Sequence, residues 1–557
     1  MNRRPSATAP ARLVLLALLA GGSLAGIDAR RAAAQDAAPE RTPGPQAALV
    51  RRAVRIPLAD GGALAADVLA PADDARRPAI VVQTPYGREH FRPDAVLDDV
   101  DGYAFVVVDV RGRHGSRDVP TRPGYDVRRR DGFDTVEWVA AQPFCDGHVG
   151  TWGPSALGQQ QFRTAEAAPP HLRCAVPIVS GFGWRYGTFH PGGVLREEYA
   201  RTIDRLGFGA GGLIREHPLD DVAWKFVARA AAPERVAVPT LMIGGWYDLH
   251  GDELPADFAT LVARSAPAVR DAHRLLIGPW THHFTASSSD AATAAHDAAT
   301  VGVARAAVAA WFGRWLRGVA APPTPRVRYA VLGTDRWETA DAWPPASAPT
   351  TLFLAPDGAL VDAPPSTATS AAPFAVTSVA FPHDPAAPVP TVGGANLDPA
   401  LPSGPRDQRR GVLDHPGVVA FATAPRTTPL ALRGAVRATL VVAVTASDPA
   451  SPTPLDADVH VRLCDVAPDG TATLLADAAR RMSLRGSFAS RQPVVAGAAY
   501  DVELVFPDLA ADVAAGHHLL VAVAGSNAPR YEVSPTPVRV ELRLGGPAGS
   551  RVVLPVR

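Results

Sequence analysis

The hydrophobic pattern divides the chain into two regimes. Up to about residue 320, continuous apolar runs alternate with amphipathic stretches. The runs are Ala79-Ile80-Val81-Val82-Gln83, Tyr103 to Val110 (YAFVVVDV), Cys174 to Val179 (CAVPIV), Val238 to Ile243 and His273 to Ile277. A short run without polar alternation is the signature of a strand buried on both faces. Between the runs, Asp131 to Gln142, Leu157 to Ala168 and Ala304 to Arg317 place apolar residues on one helical face. Val54 to Leu58 and Leu64 to Leu69 alternate around Asp60-Gly61-Gly62, which predicts a hairpin, because Asp-Gly supplies the positive-φ turn positions. Strands alternating with helices predict an α/β layer on a mainly parallel sheet. Trp184 to Arg235 breaks this rhythm, being Gly-rich and then helical in places, most clearly from Arg196 to Leu206. It reads as an insertion capping one rim of the sheet.

Beyond residue 320 the pattern changes. From Pro323 to Thr334 onward, short strands alternate with Pro, Gly and Asp turns. Leu430 to Val444, Val459 to Val466, Tyr500 to Phe506, His518 to Ala524 and Val538 to Leu544 carry the strand signal. Pro364 to Pro405 is rich in Pro, Ala and Thr and reads as a long surface loop. An all-β sandwich is expected. The resulting division is a signal segment (1–34), a linker (35–50), the α/β domain in two parts (51–185 and 236–320) around a cap insertion (186–235), and a β-domain (325–557).

Composition adds an address. Arg3, Arg4 and Arg12 precede an apolar run from Leu13 to Ala25, followed by small residues. This is the layout of a secretory signal peptide and is too short for a comfortable membrane span. A secreted or periplasmic location, with no membrane attachment after cleavage, is therefore expected. The chain has 557 residues, enough for about three or four domains. Its 55 Lys and Arg balance 55 Asp and Glu, which gives no support to nucleic acid or an anionic membrane surface as a partner. Cys145, Cys174 and Cys464 have neither disulfide-framework nor zinc spacing. Buried free thiols are the favoured reading, with a Cys145–Cys174 pair as the alternative. No metal and no cofactor are inferred.

The chemistry centres on Gly150-Thr151-Trp152-Gly153-Pro154-Ser155-Ala156-Leu157-Gly158. His148 to Trp152 reads as a strand and the residues after Ser155 as a helix, so Ser155 sits at a strand-to-helix corner. That is the setting of a nucleophile elbow, although the second glycine comes one residue later than in G-x-S-x-G. The helix after the corner aims its amide N–H groups at the place where an oxyanion would form. Asp248 follows the Val238–Ile243 run, and His282 follows the His273–Ile277 run. Ser…Asp…His is the α/β-hydrolase order. A serine hydroxyl needs a base to become a nucleophile, and an imidazole oriented by a buried carboxylate serves near neutral pH. His283 adjoins His282, and Asp252 or Glu253 can replace Asp248; spacing from the strand ends favours Asp248 and His282. Tyr86 and Arg111 also follow strands and are expected on the same rim.

These residues carry a resemblance. Thr84-Pro85-Tyr86, Asp109-Val110-Arg111-Gly112, Asp131 to Trp138, Gly150 to Gly158, Gly244 to Asp248 and Gly278 to His282 run in one order along the chain. With Gly404 to Gln408, Asp456 to Val459, Leu463 to Val466 and Asn527 to Tyr531, they make the chain similar to the CocE/NonD hydrolases. That family groups cocaine esterase, α-amino-acid ester hydrolases, glutaryl acylase and Xaa-Pro dipeptidyl-peptidases. The resemblance implies an α/β-hydrolase fold with a C-terminal jelly roll. It implies that Tyr86 donates its hydroxyl to the oxyanion beside the backbone N–H of Ala156. The chain departs from the family in having Ala156 where an aromatic is usual, Pro154 before the serine, and a short interval between Ser155 and Asp248. A reduced cap and a more open site follow.

A serine hydrolase of a small ester, amide or short peptide is therefore expected, working through an acyl-enzyme on Ser155. The alternatives are an Xaa-Pro dipeptidyl-peptidase or α-amino-acid ester hydrolase, and a binding module on a degenerate scaffold. Ser180 to His190 holds no acid, and after Asp248 come Leu249, His250 and Gly251 before Asp252 and Glu253. A buried ammonium without a partner costs several kcal/mol, so a neutral or aromatic acyl group is expected. Trp152, Trp184 and Trp246 are candidate lining residues of an apolar acyl pocket, with core packing as the competing role for Trp152. If the N-terminal address is read correctly, N-terminal sequencing of the exported protein finds a start near Gly26 or Gln35; an intact Met1 confined to the cytosol contradicts it.

Overall fold

The computed structural model describes residues 49–228, 231–284, 291–320, 324–364, 377–448, 455–546 and 548–557. The expected signal segment and nearly all of the linker lie outside them. The front of the chain builds a ten-stranded sheet. In chain order its strands are β1 (Leu49–Pro57), β2 (Ala63–Pro71), β3 (Arg77–Thr84), β4 (Ala104–Asp109), β5 (Cys145–Pro154), β6 (Leu172–Ile178), β7 (Leu241–Tyr247), β8 (Arg274–Thr281), β9 (Val327–Ala330) and β10 (Trp337–Ala340). Their spatial order is β1-β2-β4-β3-β5-β6-β7-β8-β9-β10. β1 and β2 form the expected antiparallel hairpin, with Gly61 at φ 84° in its turn. From β4 through β9 every neighbouring pair is parallel. All six residues of β4 and all seven of β7 are buried, as their unbroken apolar runs require.

Helices cover both faces, and their lengths differ modestly from the sequence expectation. The helix before the elbow is α1 (Val127–Ala140), and the one after it is α2 (Ala156–Glu166). The cap contributes α3 (Glu197–Arg205), α4 (Gly211–Glu216) and α5 (Val222–Ala228). α6 (Glu253–Arg264) follows β7, and the closing helix α7 runs over Ala291–Arg317, starting earlier than its amphipathic core suggests. The cap has its own aromatic core of Tyr186, Phe189, Tyr199 and Trp224, packed with Leu249 and, from the β-domain, Leu397.

The sheet runs past the expected division at 320–325. β9 lies parallel to β8, and β10 returns antiparallel to β9, so residues 327–340 complete the hydrolase sheet. Two antiparallel sheets follow. One contains four strands: Val418–Ala422, His518–Ala524, Asp458–Val466 and Ala472–Arg481. The other contains seven and is organised around the long strand Leu430–Ala446. The stretch expected as one long surface loop is not uniform. Thr377–His383 is a strand of the seven-stranded sheet, and Val389, Asn396 and Leu397 are buried. The carboxylate of Glu198 on α3 accepts the backbone N–H groups of Leu397 and Asp398, which ties that segment to the cap. Cys145, Cys174 and Cys464 are all buried free thiols. Among the described residues, no helix is long and apolar enough to cross a membrane, and no group of three or more His, Cys, Asp or Glu is arranged to hold a metal.

Candidate active site

Ser155 joins β5 to α2 with φ 56° and ψ −122°. A non-glycine residue in such a region costs about 1–3 kcal/mol and persists only where its surroundings force it. Two glycines make the corner possible. A Cβ on Gly153 would lie 2.4 Å from Leu157 Cβ, and one on Gly158 would lie 2.5 Å from Ser180 Cβ at the end of β6. The second glycine is therefore needed where α2 crosses the β6 terminus, which accounts for its late position. The Ser155 N–H donates to the Ile178 carbonyl at 2.8 Å and fixes the turn against the neighbouring strand. Ala156 is the first residue of α2, so its N–H has no acceptor within the helix and points to the serine side.

Each of the other candidate catalytic side chains follows its own strand: Tyr86 after β3, Asp248 after β7, His282 after β8. His282 Nδ1 lies 2.7 Å from Asp248 Oδ1, and its Nε2 lies 3.0 Å from Ser155 Oγ. Burial opposes ionisation of Asp248, but the charge and hydrogen bond of His282 outweigh it and hold the carboxyl below its usual range. An ionised Asp248 keeps the proton on Nδ1, leaving Nε2 to accept the serine hydroxyl. The Tyr86 hydroxyl lies beside the Ser155 side chain; burial pushes the phenol up to about 12 against the opposing influence of Ser155 and Arg113. Tyr86 is thus a neutral donor through the whole working range, which suits an oxyanion hole.

The alternatives to the triad have other partners. His283 Nε2 meets the Leu397 carbonyl at 3.0 Å, and burial pushes its imidazole down to about 4. Glu253 Oε2 lies 2.9 Å from His250 Nδ1, Oε1 accepts the Thr188 hydroxyl, and Arg185 stands 3.5 Å away. Arg185 also binds Asp257 at 2.6 Å, pinning the start of the cap to α6. Asp252 stays accessible, but the surrounding protein and the charge of Glu253 raise its pKa. Arg111 is spent on structure: its guanidinium forks onto Asp131 at 2.8 and 2.9 Å and reaches Asp60 at 3.0 Å, bracing the hairpin turn against α1.

Of the three candidate pocket tryptophans, the structure brings one to the site. Trp184 is half-buried and meets Phe208 edge-on at 6.2 Å, and Phe208 meets Tyr86 edge-on at the same distance. Trp184 and Phe208 also line a cleft of 330 Å³ beside α2. Trp152 packs instead against Phe91 within the buried core, at 6.2 Å. Trp246 packs at a tilt against Trp343, with ring centroids 5.0 Å apart, and donates its indole N–H to the Ala330 carbonyl at 2.8 Å. Both are core side chains, each enclosed by buried apolar neighbours in a different core cluster. Sequence reasoning overlooked Phe208 and the pairing of His250 with Glu253. An aromatic between two glycines, Gly207-Phe208-Gly209, and a histidine two residues past the triad acid were the available signals. If Tyr86 is the oxyanion donor, Tyr86→Phe lowers kcat on a p-nitrophenyl ester by about 10²–10³ with KM little changed; a change confined to KM contradicts that role.

Known proteins share these features. Residues 60–232 match the family model of X-Pro dipeptidyl-peptidase (S15 family), and residues 320–553 match that of the X-Pro dipeptidyl-peptidase C-terminal non-catalytic domain. The chain is 29% identical over 548 residues to cocaine esterase of Rhodococcus sp. (strain MB1 Bresler), covering 86% of this chain and 91% of that one. Two crystal structures share the whole fold at a TM-score of 0.76. An aminopeptidase from the marine sediment archaeon Thaumarchaeota archaeon is 21% identical, with 94% of this chain and 99% of that one covered. A selenomethionine-labelled α-amino acid ester hydrolase is 22% identical, with 93% and 98% covered. The chain is thus a hydrolase homologous to cocaine esterase, with an X-Pro dipeptidyl-peptidase (S15 family) domain followed by the C-terminal domain of those peptidases.

Proposed function

We propose that the protein is an exported hydrolase of neutral carboxylic esters, acting through an acyl-enzyme on Ser155. Export rests on the N-terminal sequence pattern alone. The chemistry follows from the contacts of His282. Its Nε2 takes the hydroxyl proton as Ser155 Oγ bonds to the ester carbonyl carbon. The carbonyl oxygen becomes an oxyanion held by the Tyr86 hydroxyl and the Ala156 N–H. His282, now an imidazolium paired with Asp248, returns the proton to the departing alkoxide as the C–O bond breaks. Water repeats the sequence on the acyl-serine, releasing the acid and restoring the serine.

The observation that carries the substrate class is the engagement of Glu253. A free-amine substrate needs a carboxylate open to its ammonium near the reacting serine. Glu253 is already balanced by His250 and Arg185 and hydrogen-bonded by Thr188. Asp252 is accessible and lies beside the like charge of Glu253, which raises its pKa. The aromatic pair Trp184 and Phe208 beside Tyr86 offers an apolar wall to an acyl or aryl group. The proposal is tested by comparing kcat/KM for benzoyl and butyryl p-nitrophenyl esters with kcat/KM for a phenylglycine ester and an Xaa-Pro-p-nitroanilide. The neutral esters lead by at least about tenfold, the scale set by one unpaired charge in a partly buried site. A lead for either free-amine substrate moves the enzyme to the aminopeptidase side of the family.

A further inference from the structure

A second cavity lies at the other end of the strands. The triad follows the carboxyl ends of β5, β7 and β8, whereas this cavity begins at the amino ends of β7 and β8, where Leu241 and Arg274 start their strands. It has a volume of 510 Å³, which suits a small organic ligand. Its walls are apolar: Leu241 and Leu276 from the sheet face Val303, Ala307 and Trp311 from α7. Three arginines, Arg274, Arg314 and Arg328, complete the lining.

Among the described residues, none of the three forms an ion pair with a carboxylate. Arg274 directs Nε to the Thr324 carbonyl at 2.9 Å and hydroxyl at 3.1 Å, and Nη1 to the Asp271 and His273 carbonyls at 2.7 and 2.8 Å. All of these acceptors are neutral. The nearby acid, Asp271, pairs with Arg326 at 2.5 Å. Arg314 and Arg328 lie over the rings of Trp315 and Trp337, at 5.3 and 5.2 Å, and form no ion pair among the described residues. Burial, and then the like charges of Arg326 and Arg314, lower the pKa of Arg274. Most arginines around the catalytic rim answer to an aspartate or glutamate; here several positive charges converge on one greasy recess. Low-dielectric walls concentrate such a field and favour an anion carrying an apolar body.

We propose that this cavity is a binding site for a single-chain amphipathic carboxylate, with the hydrocarbon between α7 and the strands and the head among Arg274, Arg314 and Arg328. The site is separate from the triad and does not depend on the esterase reading. Equilibrium dialysis of decanoate against the full-length protein tests it. The expected result is one saturable site. The double variant Arg314→Glu, Arg328→Glu weakens binding by at least about tenfold, as reversing two charges at a guanidinium-lined anion site requires. Ala306→Trp, at an exposed α7 position that lines the cavity, removes it by filling the space. Both changes fall on exposed side chains, and an unchanged melting temperature confirms an intact fold. Decylammonium binds at least about tenfold more weakly than decanoate. Decanoate affinity unaltered by the variants, equal affinity for decylammonium, or no saturable binding overturns the proposal.

Discussion

The molecule depends on one backbone constraint, the left-handed corner at Ser155. It lifts the hydroxyl out of the sheet and turns the chain into α2, whose first N–H faces the same side. Removing the Cβ at Gly153 and Gly158 is what lets α2 lie this close to β5 and β6. The strain is tolerable because β5 is held on both sides by parallel partners, β3 and β6, whose own ends deliver Tyr86 and the Ser180 contact. Four short buried strands thus bring four dispersed residues to one point.

The β-domain, whose family model is described as non-catalytic, frames the acid side of this point. Tyr247, directly before Asp248, donates its hydroxyl to the Leu474 carbonyl at 2.8 Å. His283, directly after His282, is fixed by the Leu397 carbonyl, and the cap reaches the same segment through Glu198. Arg196 on the cap donates to the carbonyl of Leu249, the residue after Asp248. Cap, sheet and β-domain therefore share one buried polar seam behind the triad. Removing one partner from such a seam leaves another group buried and unpaired, which is costly.

Much of this was legible in the sequence because buried parallel strands announce themselves as unbroken apolar runs with functional residues at their carboxyl ends. The meeting of Ser155, Asp248 and His282 and the succession of the principal strands follow from that rule. What escaped has physical causes. β9 and β10 have four residues each, too few for a period, and the change to short strands around them resembled the start of the next domain. Thr377–His383 borrows its order from pairing with Val538–Leu544 across the sheet, a contact with no local signature. Trp152 and Trp246 were ambiguous because a tryptophan in a buried strand looks the same whether it faces a ligand or the core. The His250–Glu253 and Arg185–Asp257 pairs join the loop after β7, α6 and the cap, and pairing of that kind leaves no hydrophobic pattern to read.

The proposed catalysis requires Ser155 to be the nucleophile that His282 activates. Labelling with a fluorophosphonate, followed by peptide mapping by mass spectrometry, tests this directly. One adduct per chain on the peptide carrying Ser155, formed in step with loss of ester hydrolysis, is the predicted result. An adduct on another residue, or full ester hydrolysis by a protein that takes no label, would contradict it.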